Sequence, residues 1–165
     1  SSDLFNQHPE VKLIIAPHVI DENHLVEIIR KLKRPYVRYT RADEKNVRKA
    51  DCLIVDCFGL LSSIYRYGEI AYIGGGFGVG IHNTLEAAVY GIPVIFGPKY
   101  QKFQEAVQLL EAKGAFSVKD YEELKTLLDR MLTDEVFLRE SGMNASNYVT
   151  GNAGATDKIM SMINF

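Results

Sequence analysis

Ile70-Ala71-Tyr72-Ile73-Gly74-Gly75-Gly76-Phe77-Gly78-Val79-Gly80-Ile81-His82-Asn83-Thr84-Leu85-Glu86 is the stretch that decides the fold. Ile70–Ile73 reads as a strand that runs straight into glycines, and Asn83–Tyr90 reads as the helix that follows. Five glycines in seven positions leave backbone N–H groups unobstructed by side chains. A helix N-terminus just beyond them adds unpaired donors and partial positive charge, an arrangement suited to an anion. In open α/β sheets, ligands sit beyond the carboxyl ends of strands, which is where this loop falls. It lacks the Gly-Lys-Ser/Thr ending of a P-loop, and it lies mid-chain rather than at the first βα turn of a dinucleotide fold. A tight turn with positive φ accounts for a glycine pair; five glycines exceed that need, and phosphate or sugar contact is the expectation.

Working outward, short apolar runs rich in β-branched residues alternate with segments of helical period. Val11–Ala16 reads as a strand buried on both faces. Glu22–Lys33 reads as a helix with Leu25, Ile28, Ile29 and Leu32 on one face. Tyr36–Thr40 is expected as a short strand after Pro35 stops that helix, and Asp51–Asp56 as the next buried strand. Leu60–Tyr67 follows as a short helix with Leu60, Leu61, Ile64 and Tyr65 inward. Beyond the glycines come a strand at Val94–Phe96, a helix at Gln101–Lys113 ended by Gly114, and a strand at Ala115–Val118. From Tyr121 onward the pattern is helical, with a break expected near Asn152–Gly154. This alternation predicts an α/β, Rossmann-like, mostly parallel sheet with helices on both faces. The opening strand of such a layout is expected to be missing from this chain, and residues 1–165 are expected to be a single domain cut from something larger.

Composition narrows the function. The chain is 47% hydrophobic and 24% charged, enough to bury a core and stay soluble. A net charge of −2 excludes a global basic field for nucleic acid. Cys52 and Cys57 have no further Cys or His at metal-ligand spacing, so no metal site is expected and both thiols read as buried and free. No apolar run approaches the length of a membrane helix. Arg30–Lys49 carries nine Lys or Arg against Asp43 and Glu44, a local charge of +7. It reads either as a solvated face or as a segment lying near an anionic membrane surface.

Asn83 and Glu86 stand i and i+3 on the helix that follows the glycines. As a capping box they satisfy each other's backbone donors. As a site pair, Glu86 accepts from the two ribose hydroxyls of a nucleotide, since an acceptor-only carboxylate suits a vicinal diol. Spacing alone leaves both readings open. His82, just before the helix, reads either as a loop residue bonded to the backbone or as a donor to an anion.

The longer spacing adds a resemblance. Glu86, five residues, Gly91-Ile92-Pro93, and Pro98 five further on is similar to the donor-site motif of GT-B glycosyltransferases, which have two facing Rossmann-like domains. More narrowly, Ala71–Gly76, then Gly80-Ile81-His82-Asn83-Thr84-Leu85-Glu86-Ala87-Ala88, then Gly91–Pro98 resembles the 3-deoxy-D-manno-octulosonic acid (Kdo) transferases. The likeness begins at Ala16-Pro17-His18, passes through Gly59-Leu60-Leu61 and Tyr65, and reaches Phe103. That family usually has Ser or Thr where Gly76 stands, a second Gly where Ile81 stands, and Asn where Lys102 stands.

The resemblance implies the C-terminal half of a GT-B enzyme that moves Kdo from CMP-Kdo to a lipid A precursor in lipopolysaccharide core synthesis, inverting the anomeric centre without metal or other cofactor. It implies that Pro17, His18, Gly59, Leu60 and Leu61 border the cytosine and that Glu86 holds the ribose. Gly74, Gly75, Gly76, His82 and Asn83 would lie near the phosphate, with Lys99 and Lys102 as further anion contacts. No catalytic residue is expected here: the base, the acceptor groove and the membrane anchor belong to an N-terminal domain. The full-length protein is expected at the cytoplasmic face of the bacterial inner membrane, with this fragment soluble and inactive alone. A UDP-sugar-dependent GT-B domain and a non-catalytic nucleotide-binding domain remain alternatives.

Overall fold

Cys52–Ile54 (β3) is the middle strand of the first of two sheets, flanked by Leu13–Ile15 (β1) and Tyr36–Arg38 (β2). Both pairings are parallel, with Leu13 and Tyr36 each opposite Cys52. This computed structural model describes residues 2–77 and 80–162. The chain divides into two compact units, Ser1–Ile64 and Tyr65–Phe165, and the first sheet belongs to the first unit.

The first unit also holds Ser2–Gln7 (α1), Glu22–Lys31 (α2), a 3-10 turn at Tyr39–Arg41, Glu44–Val47 (α3) and Leu61–Ile64 (α4). The Asp21 carboxylate caps α2 by accepting from the His24 N–H at 2.9 Å. Leu25 is buried, and Ile28, Ile29 and Leu32 pack with it around Phe5, Cys52 and Ile54, the face the period of this helix predicts. Two expectations fail. β1 is not buried on both faces: it is an edge strand, and Ile14 stays 36% exposed. Leu61 is exposed rather than inward, because helix α4 is a single turn followed by 3-10 geometry at Tyr65–Tyr67.

α1 has no counterpart in the sequence reading. Leu4 and Phe5 bury its apolar side. The Arg34 guanidinium then donates to the carbonyls of Phe5, His8, Pro9 and Val11 at 2.8–3.1 Å. One side chain from 23 to 29 residues away thus satisfies one carbonyl in the last turn of this helix and three in the segment that follows it.

The second unit repeats the pattern. Ala71–Tyr72 (β4), Val94–Phe96 (β5) and Ala115–Ser117 (β6) form a parallel sheet in that order. Around it stand Leu85–Ala88 (α5), Gln104–Glu111 (α6), Tyr121–Thr133 (α7) and Glu135–Met162 (α8). Val94, Ile95 and Phe96 are wholly buried, as an unbroken apolar run in a central parallel strand requires. α8 packs against α5, α6 and α7. It runs unbroken through 152–154, since a glycine in a helix costs only about 1 kcal/mol against alanine. The break falls instead at Asp134, whose carboxylate accepts from the Phe137 N–H.

The end of α6 differs in detail from its expected Gly114 stop. Lys113 takes the left-handed conformation, at φ 59°, and the Gly114 N–H bonds back to the Leu109 carbonyl. Gly114 is glycine for another reason: a Cβ there would lie 2.6 Å from the backbone of Ala145 in α8. With all strand pairs parallel and helices flanking them, the α/β, Rossmann-like expectation holds.

Candidate functional site

In each unit, candidate residues leave the carboxyl ends of neighbouring parallel strands. In the first unit Pro17 and His18 follow β1, and Gly59, Leu60 and Leu61 follow the adjacent β3. His18 and Gly59 are exposed, and Pro17 and Leu60 half-buried. Gly59 has φ 85°, a turn geometry that favours glycine.

That end of the sheet also carries a charged network. Asp56, just past β3 and 8% exposed, accepts from Arg38 Nε at 2.7 Å, Thr40 N at 2.9 Å and Thr40 Oγ1 at 2.6 Å. Arg38 reaches on to Glu22, at the start of α2, at 2.8 Å. Burial pushes the Asp56 carboxyl up, but the Thr40 hydroxyl and N–H and the Arg38 guanidinium outweigh it and hold it at about 2. The network ties the exits of β2 and β3 to the start of α2.

In the second unit the glycine loop turns back on itself. Gly75 bridges Ile81 in antiparallel fashion, and the Gly76 N–H donates to the Gly80 carbonyl at 2.7 Å. The Gly76 N–H is therefore occupied inside the loop. Gly75 and Gly76 have φ of 90° and 74°. A Cβ on Gly75 would fall 2.1 Å from the Gly80 carbonyl oxygen, and one on Gly80 2.8 Å from the Phe103 ring. Three close approaches, the third between Gly76 and Gly97, thus account for the glycines at 75, 76 and 80. Gly74 is different: its Cβ position meets no described residue within 4 Å. Gly78 and Val79 lie outside the described residues.

The helix after the loop is shorter than expected. α5 is one turn, Leu85–Ala88, so it has little of the dipole a longer helix would bring. Asn83 precedes it: its Oδ1 accepts from the Leu85 N–H at 3.0 Å, and its Nδ2 donates to Glu86 Oε1 at 3.0 Å. A reciprocal capping box does not form, because Glu86 bonds the Asn83 side chain and not its backbone. Glu86 is half-buried, while Asn83 and His82 are exposed. Burial raises the Tyr65 phenol, and the nearby Glu86 charge raises it further. Thr84, 1% exposed, buries its Oγ1 without a hydrogen-bond partner among the described residues.

Lys99 and Lys102 follow β5 and are exposed. The Lys99 N–H donates to the Gly76 carbonyl at 2.8 Å, which fixes the start of its side chain beside the glycine loop. Among the described residues, no three His, Cys, Asp or Glu side chains gather as a metal cage. None of the described helices is long and apolar enough to cross a membrane.

No family model matches the chain. Among curated proteins it is 38% identical over 128 residues to the 3-deoxy-D-manno-octulosonic acid transferase of Aquifex aeolicus, covering 76% of this chain and 35% of that protein. The Rickettsia bellii protein of the same name is 33% identical over 116 residues, 68% of this chain and 28% of that one. By descent this chain is a relative of the Kdo transferases. A bifunctional glycosyltransferase/methyltransferase of Fusobacterium nucleatum is 30% identical over 158 residues, 89% of this chain and 25% of that protein. The chain thus spans between a quarter and about a third of the length of these curated relatives. Among solved structures it matches the C-terminal CMP-Kdo binding domain of WaaA from Acinetobacter baumannii. The TM-score is 0.74 at 19% identity, covering 89% of this chain and 78% of that one. The fold is therefore that of the C-terminal domain of a GT-B Kdo transferase.

Gly76 is glycine for a local reason: φ of 74° and the abutting Gly97 backbone both favour it. Sequence reasoning missed the Asp56–Arg38–Glu22 network, the buried Thr84 hydroxyl and the proximity of Tyr65 to Glu86. Asp56 ending an apolar strand was the available signal; its partners, 16 and 18 residues away, were not. Cys52 is buried and free, and burial pushes its thiol up to about 12; Cys57 is free and only half-buried.

Proposed function

We propose that this chain is the donor-binding half of a two-domain Kdo transferase that moves Kdo from CMP-Kdo to a lipid A precursor in lipopolysaccharide core synthesis. The observation that carries this reading is the placement of all candidate donor residues after the carboxyl ends of parallel strands, the ligand end of such sheets. Kinship with the Kdo transferases selects the donor. Pro17, His18 and the Gly59–Leu61 turn take the cytosine side. Glu86, held by Asn83, accepts from the ribose hydroxyls through its remaining lone pairs. The Gly74 and Gly75 backbone and His82 lie toward the phosphate, with Lys99 and Lys102 supplying positive charge.

The reaction is a direct displacement. An acceptor oxygen bonds to the anomeric carbon as the bond from that carbon to the phosphate oxygen breaks, with inversion, and CMP leaves. The acceptor proton passes to a carboxylate base in an N-terminal domain. This chain supplies no base; it stabilises charge on the departing phosphate, and neither metal nor cofactor takes part. In the full-length protein, at the cytoplasmic face of the inner membrane, the exposed bases of 30–49 lie toward anionic lipid.

Calorimetric titration with CMP and with UDP tests the reading. CMP binding with UDP at least tenfold weaker supports it. Equal or preferential UDP binding points to a UDP-sugar donor, and binding of neither overturns the donor-site assignment. Full-length protein that binds CMP but transfers no Kdo would leave a non-catalytic nucleotide-binding domain.

A further inference from the structure

Phe58 is 82% exposed, more than any other large hydrophobic side chain among those exposed in the described residues. A single apolar side chain in water needs no explanation by itself. Three features set this one apart.

The loop that carries it is held at both ends. Asp56, two residues before, is locked by Arg38 and Thr40. Two residues after, the Leu60 carbonyl accepts from Ser63 Oγ at 2.9 Å, Ser63 N at 3.1 Å and Ile64 N at 3.0 Å. Fraying therefore does not explain the exposure. The loop also leaves the carboxyl end of β3, the middle strand, beside the β1 exit that carries Pro17 and His18. That is the edge where open parallel sheets receive ligands. Finally, Gly59 turns the chain at φ 85°, and its Cβ position meets no described residue within 4 Å, so the turn that follows the ring is itself uncrowded.

We infer that Phe58 is the base-stacking residue of the donor site, an aromatic platform that receives one face of the pyrimidine ring. This rests on the donor-binding reading above and extends it to a residue with no role there. A flat ring on a pre-positioned loop loses little conformational freedom on binding, because Phe has only two side-chain torsions. Stacking takes any base by its face, so the ring contributes affinity, and discrimination comes from polar groups at the base edge.

The chain has no Trp, which makes a clean probe available. Phe58→Trp in the full chain introduces the sole tryptophan, and its emission should be quenched by CMP and unmoved by ribose 5-phosphate, which lacks the base. Phe58→Ala should keep the wild-type melting temperature, since the ring is in water. It should weaken CMP binding about tenfold, within the range of base–aromatic stacking, and leave ribose 5-phosphate binding unchanged. Wild-type CMP affinity in Phe58→Ala overturns the stacking role while leaving the donor site standing. So does equal weakening of both ligands, or indole emission of the Phe58→Trp variant that is unmoved at saturating CMP. Wild-type protein that binds neither ligand overturns the donor site and the stacking role together.

Discussion

Gly76 and Gly97 meet backbone to backbone: a Cβ on Gly76 would lie 2.8 Å from Gly97 Cα, and one on Gly97 2.7 Å from the Gly76 carbonyl carbon. The adjoining Lys99 N–H bonds the Gly76 carbonyl at 2.8 Å, so the contact is locked by a hydrogen bond. It joins the glycine loop after β4 to the exit of β5, two neighbouring parallel strands.

Gly97→Ala should therefore destabilise the fold by about 1–3 kcal/mol, the usual cost of forcing extra volume into a packed place. Both neighbours are backbone or the Phe77 ring, and neither can step aside cheaply. Urea midpoints of the two proteins measure the difference.

Glu86 bonds the Asn83 side chain in an exposed pair, so Glu86→Ala should cost under about 1 kcal/mol of stability. CMP binding should fall by about 1.5–3 kcal/mol, the range for hydrogen bonds to a charged group, with Glu86→Gln losing less. Calorimetry beside thermal melts separates the two effects. A mutant that melts lower yet binds CMP normally would assign Glu86 to local structure alone.

The Asp56 network predicts an acid limb. The carboxyl sits at about 2 in the folded protein against an ordinary 3.8, so the folded state prefers it ionised. That stability is fully present above about pH 4 and is lost as pH falls toward 2, about 2 kcal/mol in all. Denaturant titrations at pH 5, 3 and 2 should show the decline, and Asp56→Asn should flatten it.

Thr84 buries a hydroxyl with no partner among the described residues. Thr84→Val keeps the shape and removes the orphaned group, so stability should hold or rise by up to about 1 kcal/mol. A loss of more than that in a melt would mean that the hydroxyl has a partner.

The basic segment divides in two. Arg34 is tied to four carbonyls and to Asp51, and Arg38 to Asp56 and Glu22, so neither belongs to a solvated face. Arg30, Lys31, Lys33, Arg41, Lys45, Arg48 and Lys49 are exposed. Each base near an anionic bilayer contributes roughly 1 kcal/mol. Co-sedimentation should show binding to anionic but not neutral vesicles, weakening with salt. Reversing Lys31, Arg41, Lys45 and Lys49 to Glu should abolish it, while Arg34 and Arg38 stay untouched to preserve the fold. Equal binding to both vesicles, or to neither, assigns the segment to solvent.

The order of strands and helices was legible in the sequence because it rests on short-range physics. An unbroken apolar run such as Val94-Ile95-Phe96 can only be a buried strand or a helix core, and its length and the flanking Gly91, Pro93 and Gly97 choose the strand. The period of Leu25, Ile28, Ile29 and Leu32 chose the buried face of α2 in the same way. Five glycines in one loop announced close approach of backbone to something. What approached was decided only by the tertiary structure: for Gly76 it is Gly97, and for Gly75 the carbonyl of Gly80. Arg34 looked like one charge in a basic run, yet folding places it on the carbonyls around the end of α1. Lys113, not Gly114, takes the left-handed turn, and Gly114 is glycine because Ala145 of a later helix leaves no room for a Cβ. Periodicity and turn chemistry act within a few residues, whereas backbone contact and charge pairing join residues tens of positions apart, and only packing brings those together.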